Sequence, residues 1–74
     1  MDYTAKVKVS LKAPAFGENT NVHFIADYDY QNPELNKDWA AATPYMSIQM
    51  VVKNSLAEHI ELDDKYTLTF HKDA

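Results

Sequence analysis

The sequence predicts one small, mostly antiparallel β domain over residues 1–74, a four-stranded sheet curled into a barrel or sandwich with one or two short helical turns. Three observations carry this expectation. Apolar and polar residues alternate with period two in four stretches, turn-forming residues separate them, and a length of 74 residues leaves room for a single core.

Between Tyr3 and Ala13 the residues alternate strictly, with Tyr3, Ala5, Val7, Val9, Leu11 and Ala13 on one side and Thr4, Lys6, Lys8, Ser10 and Lys12 on the other. This is the signature of a half-buried strand. The segment from Ala13 to Asn21 holds Pro14, the sole glycine Gly17, and Asn19 and Asn21, so a hairpin connection belongs there. A second alternation from Asn21 to Tyr30 sets Val22, Phe24, Ala26, Tyr28 and Tyr30 against His23, Ile25, Asp27 and Asp29. Gln31 to Asp38 reads as a turn, and Leu35 and Trp39 could meet at i, i+4 on a short helical turn that Thr43-Pro44 closes. Met46, Ile48, Met50 and Val52 alternate with Ser47, Gln49, Val51 and Lys53 in a third strand. Ser55 and Glu58 then fit a capping box that opens a short helix from Leu56 to about Ile60. After a turn at Asp63-Asp64, Tyr66, Leu68 and Phe70 alternate with Thr67, Thr69 and His71 in the last strand. The four apolar faces share one core, roofed by Trp39 and by the Leu56 and Ile60 side of the helix. Ile25 and Val51 lie on the opposite faces, which points to curling of the sheet or to a dimer contact.

A domain this small ordinarily needs a disulfide, a metal, good packing or a partner chain. There are no cysteines, which removes disulfides and thiolate zinc sites, and His23, His59 and His71 are scattered. Self-association is the expected support. With 46% apolar residues, one glycine and three prolines the composition is globular. No apolar run reaches the ~20 residues that span a bilayer, and the start lacks the order of a signal peptide, so a cytoplasmic location is the default. Net charge is −4, from 11 acidic residues and 7 lysines without any arginine. The missing guanidinium forks and the negative charge argue against sequence-specific nucleic-acid recognition.

Each candidate site has a plainer competitor. His23, Asp27 and Asp29 share a strand face, but i and i+4 on a strand lie ~13 Å apart and cannot share one ion, so a solvated face is preferred to a metal site. Lys6, Lys8 and Lys12 with scattered tyrosines could make a single-strand nucleic-acid platform. Protection of an edge strand explains those lysines as well. Glu58, Glu61, Asp63 and Asp64 are clustered, yet they flank a cap and a turn, and the phosphate-loop and nucleophile motifs of enzymes are missing. No cofactor is expected. The acidic surface from Glu58 to Asp64, with Asp27, Asp29, Glu34 and Asp38, reads as a solubility feature before it reads as a site for a basic partner. The favoured recognition segment is the loop from Gln31 to Tyr45, because loops on a rigid scaffold carry binding and this one brings Trp39, Tyr30 and Tyr45 together with Asn36 and Lys37. Trp39 could instead plug an open end of the barrel.

Asn36-Lys37-Asp38-Trp39-Ala40-Ala41-Ala42-Thr43-Pro44, then Ser47 to Asn54 and Glu61 to Phe70, resembles a pattern in small uncharacterised tailed-bacteriophage proteins. There an Asn-Lys, an aromatic and Ala-Thr-Pro lead into an alternating strand, and a Tyr-x-x-x-Phe strand closes the chain, as Tyr66 to Phe70 does here. This chain departs at Tyr45-Met46-Ser47, where those proteins resemble Ser-Gly-Ser, and Asn54 is not followed by proline. The resemblance implies a phage or prophage accessory protein in the bacterial cytoplasm, and it brings no activity with it. The resulting expectation is a non-enzymatic homo-oligomer that binds another macromolecule, a host or phage protein. The alternatives are a single-stranded nucleic-acid binder on the lysine face, or a protein that sequesters a small molecule or nucleotide between subunits.

Overall fold

Alternation at the start of the chain produces its longest strand, β1 (Asp2–Pro14), and everything else is arranged around it. The computed structural model describes residues 2–29, 31–32, 34–37, 39–40 and 44–73. Within them follow β2 (Asn19–Ala26), β3 (Ser47–Lys53), the short helix α1 (Asn54–Ala57) and β4 (Lys65–His71). The strands form one antiparallel sheet in the order β3-β2-β1-β4, curled as a half-barrel. β1 is therefore a central strand, paired with β2 from Val7 to Pro14 and with β4 from Asp2 to Lys8. The β1–β2 hairpin turns at Phe16 to Glu18, where Gly17 has φ +66, a region that costs other residues strain. No helix among the described residues is long and apolar enough to cross a membrane.

The strict alternation expected through Ala13 breaks at Ser10. Val9 pairs with Phe24 and Leu11 with His23, so Ser10 is the extra residue of a β-bulge, and its hydroxyl donates to the His23 carbonyl at 3.3 Å. An extra residue reverses the facing of all that follows. Leu11 and Ala13 pass to the face of His23 and Asn21, while Lys12 joins Val22 on the other. The bulge lies where β1 loses its second partner. Val9 is the last residue held on the β4 side, through Val9 N–H to Asp64 O (2.9 Å) and Asp63 N–H to Val9 O (3.0 Å).

The core lies on the face carrying Val7 and Val9, here the inner face. Val7, Val9, Val22, Phe24 and Val52 are buried there with Ala57 and Ile60, and Met46, Ile48 and Leu68 pack against them. Two expected roof residues are elsewhere. Leu56 is 52% exposed and Trp39, half-buried, is not in this cluster, because α1 turns Ala57 and Ile60 inward instead. The helix also starts earlier than the capping box would place it. It starts at Asn54, with Lys53 as an extended N-cap residue that makes no side-chain capping bond. Contacts to the hairpin fasten it instead: Asn54 N–H donates to Glu18 O at 3.2 Å, and the Thr20 hydroxyl donates to the Asn54 amide oxygen at 2.7 Å.

Aromatic contacts extend the inner face beyond the core. Tyr3 stacks on Phe70 across the β1–β4 pair at 4.7 Å, and Phe24 meets Tyr66 edge-on at 5.7 Å. Phe24 thus joins the buried cluster to the partly open aromatic patch. Replacing Phe24 by alanine should cost ~3–5 kcal/mol, which rivals the whole stability of a core this small. The expected outcome is a chain largely unfolded at 25 °C, read as loss of the cooperative transition in circular dichroism.

Candidate functional site

The loop between β2 and β3 is built on one side chain. Asn36 sits in a left-handed conformation (φ 65) within a series of turns, where Lys37 N–H donates to Glu34 O and both Trp39 N–H and Ala40 N–H donate to Asn36 O. These turns, not a regular helical turn, relate Leu35 to Trp39. The Asn36 amide is buried against the start of β1, beyond the end of β2. Its oxygen accepts from Lys6 N–H (2.6 Å) and Trp39 Nε1–H (3.1 Å), and its nitrogen donates to Lys6 O (2.9 Å) and Asp27 O (2.9 Å). Two donors and two acceptors are all that a carboxamide has. Asn36 therefore stands in for one more strand residue opposite Lys6, giving the Lys6 N–H an acceptor that β2 does not supply and adding a second donor to the Lys6 carbonyl, which also accepts from Asp27 N–H at 2.9 Å.

Of the residues singled out in this loop, Asn36 is a clamp whose polar groups are spent internally. Trp39 is half-buried with its indole N–H tied to Asn36, and Lys37 pairs with Glu34 at 2.9 Å in the open. Tyr45 is 85% exposed beside Ile25, at the entry to β3, where Ala26 N–H to Met46 O (3.1 Å) extends the β2–β3 ladder. Tyr30, Asp38 and Thr43 lie outside the described residues. The structure thus joins Asn36 and Trp39 and holds Tyr45 out as a side chain available to a partner. Alternation alone gave no sign that Asn36 is the keystone, although an asparagine amid turn residues is a common occupant of positive φ.

The lysine face is altered by the bulge. Lys6 and Lys8 remain together on the outer face of β1, Lys12 does not, and Lys65 of β4 is paired opposite Lys8. Because β1 is central, edge protection does not explain these lysines; the edges are β3 and β4. The Lys6 ammonium donates to the Thr67 hydroxyl at 2.7 Å, and the Lys65 ammonium lies 3.4 Å from the carboxylate of Asp27, whose side chain is 10% exposed. A groove of about 320 Å³ runs beside them, lined by Lys6, Asp27, Asp29, Asn32, Leu35 and Lys65. The counter-charge of Asp27 reduces the positive field that three ammoniums would otherwise create.

Among the described residues no three histidine, aspartate or glutamate side chains converge as metal ligands. His23 faces Leu11 and Gln49 on the neighbouring strands with its Nε2 buried and unpaired, whereas Asp27 turns to Lys65. The acids after α1 serve the chain's own turn: an Asp64 carboxylate oxygen accepts from Glu61 N–H at 2.9 Å, and Asp63 has φ 68.

The remaining feature is the uncovered part of the inner face. α1 and Ile60 cover Val9, Val22 and Val52, while on β1 and β4 Tyr3 (47%) and Tyr66 (37%) stay exposed on the same face beside the half-buried Leu68 and Phe70; Met50 (46%) is exposed separately, on the opposite edge strand. Among the described strand residues Lys12 is the one charge on that face, at the hairpin end.

The clamp gives a direct test. Asn36→Ala removes the amide and strains the left-handed backbone, leaving the Lys6 N–H without its acceptor and the Lys6 carbonyl with Asp27 N–H alone; the expected loss is ~2–4 kcal/mol in denaturant unfolding. Asn36→Gly keeps the conformation without the amide and should recover about 1 kcal/mol of that loss.

No protein-family model matches the chain, and no curated protein and no solved structure matches it.

Proposed function

We propose that this chain is a non-enzymatic accessory protein that acts by binding another macromolecule, and that it does so as a homo-oligomer. The observation that carries this reading is its exposed surface. A folded monomer of 8.5 kDa exposes about 4,700 Å² by size scaling, and this chain exposes 5730 Å². Its radius of gyration, 13.8 Å, exceeds the ~11 Å of a compact domain of 74 residues. Its extents of 38 × 36 × 17 Å describe a slab. An excess on the order of 1,000 Å² of unburied surface is what a binding module presents before it meets its partners. Tyr45, standing at the edge of a loop pinned by Asn36, is the side chain offered to a protein partner. A phage or prophage setting rests on the resemblance in residues 36–54 and 61–70, and the bacterial cytoplasm follows from it.

A second reading, single-strand nucleic-acid binding, draws on the convergence of Lys6, Lys8 and Lys65 on the outer face. Light scattering on the purified chain separates the two. The expected mass is at least twice 8.5 kDa and indifferent to an added single-stranded oligonucleotide. A mass of one chain at high concentration would sink the oligomer. A rise with oligonucleotide that fades with salt, and is lost in the Lys6→Ala, Lys8→Ala double variant, would install the second reading instead.

A further inference from the structure

We infer that the open part of the inner face on β1 and β4, around Tyr3, Tyr66, Phe70 and Leu68, is a homodimer interface in which two copies pack face to face as a two-layer sandwich. The inference rests on the self-association proposed above and names the surface that performs it. Its occupant is a second copy of this chain.

Area is the first argument. The excess of about 1,000 Å² over a compact monomer matches the ~800 Å² that each partner contributes to a standard interface. Layering is the second. Sheets with an apolar face bury it against another layer, commonly a second sheet ~10 Å away. Here the only helix among the described elements has four residues, lies at the hairpin end and packs on β2 and β3, so it gives the aromatic side chains of β1 and β4 no second layer. The slab is 17 Å thick.

Charge decides which face pairs. In a two-fold dimer the same patch meets itself, so any charge near the axis confronts its own copy. The open inner area on β1 and β4 is uncharged and rich in aromatic side chains, the composition of interface centres. The outer face also exposes apolar groups, Leu11, Ile25 and Val51, but it carries Lys6, Lys8 and Lys65, which self-pairing would bring together.

The stacked Tyr3–Phe70 pair supplies a preformed aromatic surface, since its rings are only 12° from parallel and already held across two strands. Rigid aromatics lose little conformational freedom on binding.

The test uses neighbours on opposite faces. Tyr3→Asp and Tyr66→Asp put a carboxylate on the inner face, Thr4→Asp and Thr67→Asp put the same group on the outer one, and all four positions are exposed. The inner-face variants are expected to weaken dimerisation about a hundredfold or more while the outer-face variants dimerise like the parent, all four keeping the parent's circular dichroism. A dimer that resists both inner-face variants overturns the inference but leaves self-association standing. A monomeric parent removes both. Should the inner-face variants fail to fold, single cysteines decide, because the chain has none of its own. Tyr3→Cys should react with a maleimide more slowly in concentrated than in dilute protein, and Thr4→Cys equally fast in both. Equal behaviour at the two positions overturns the inference.

Discussion

A single sheet has two faces, and among the described elements only α1 and the segment on to Ile60 lie over the inner one. Much of its architecture follows from that shortage. After β3 the chain crosses the inner face once, through the four residues of α1 and on to Ile60, before rejoining β1 at Val9. Of the fully buried residues Ala5, Val7, Val9 and Val22, the last two lie along that crossing, whereas Tyr3 and Tyr66 stay exposed. Four buried valines, one phenylalanine and one isoleucine supply modest hydrophobic stabilisation, at ~1.5–3 kcal/mol for each side chain fully buried. Such a core leaves little margin against the entropy of ordering the chain. A partner that covers the remaining apolar area would add to stability through binding alone.

Asn36 meets the other demand, the polar one. Where β2 ends at Ala26, β1 continues, and the Lys6 N–H would face the loop unpaired while its carbonyl keeps the Asp27 N–H. A carboxamide carries a donor and an acceptor at nearly the spacing of a peptide, so one side chain replaces one residue of ladder. The same amide ties the indole of Trp39 and the carbonyl of Asp27, which joins the two ends of the clamp's surroundings to β1. A loop fixed at its middle and resumed at the Ala26–Met46 ladder bond presents Tyr45 from a set position. Presentation from a rigid base reduces the ordering cost of recognition.

The strands were legible because period two is a local property of sequence, and the hairpin because Pro14, Gly17 and Asn19 have local preferences. Register and roofing are not local. The residues around Ser10 continue an unbroken alternation, and the bulge comes from the change in β1's partners at Val9, which depends on where the chain crosses much later. The capping box of Ser55 and Glu58 lost to tertiary bonds from Glu18 and Thr20. Trp39, large enough to suggest a plug, went to the loop because Asn36 offered its indole N–H an acceptor. For the loop as a recognition segment, sequence pointed to aromatic residues; it could not show that Asn36 and Trp39 are used internally while Tyr45 is held out.

The bulge also settles how the charges divide between the faces. With Lys12 turned inward at the hairpin end, Lys6 and Lys8 have only Lys65 as a basic neighbour, and Asp27 stands against it. A nucleic-acid surface gains affinity by releasing counterions from each phosphate it neutralises, and three ammoniums opposed by a carboxylate, on a chain of net charge −4, neutralise few. The outer face is better matched to water. With the inner faces of two copies joined, solvent would meet this lysine-bearing surface, the loop with Tyr45, and the isolated apolar side chains Leu11, Ile25 and Val51. Isolated apolar residues among polar ones are tolerated on a surface, whereas a contiguous aromatic patch such as Tyr3, Phe70 and Tyr66 is costly to leave wet. Closing the inner faces therefore places the soluble surface outside and leaves Tyr45 accessible to a different partner.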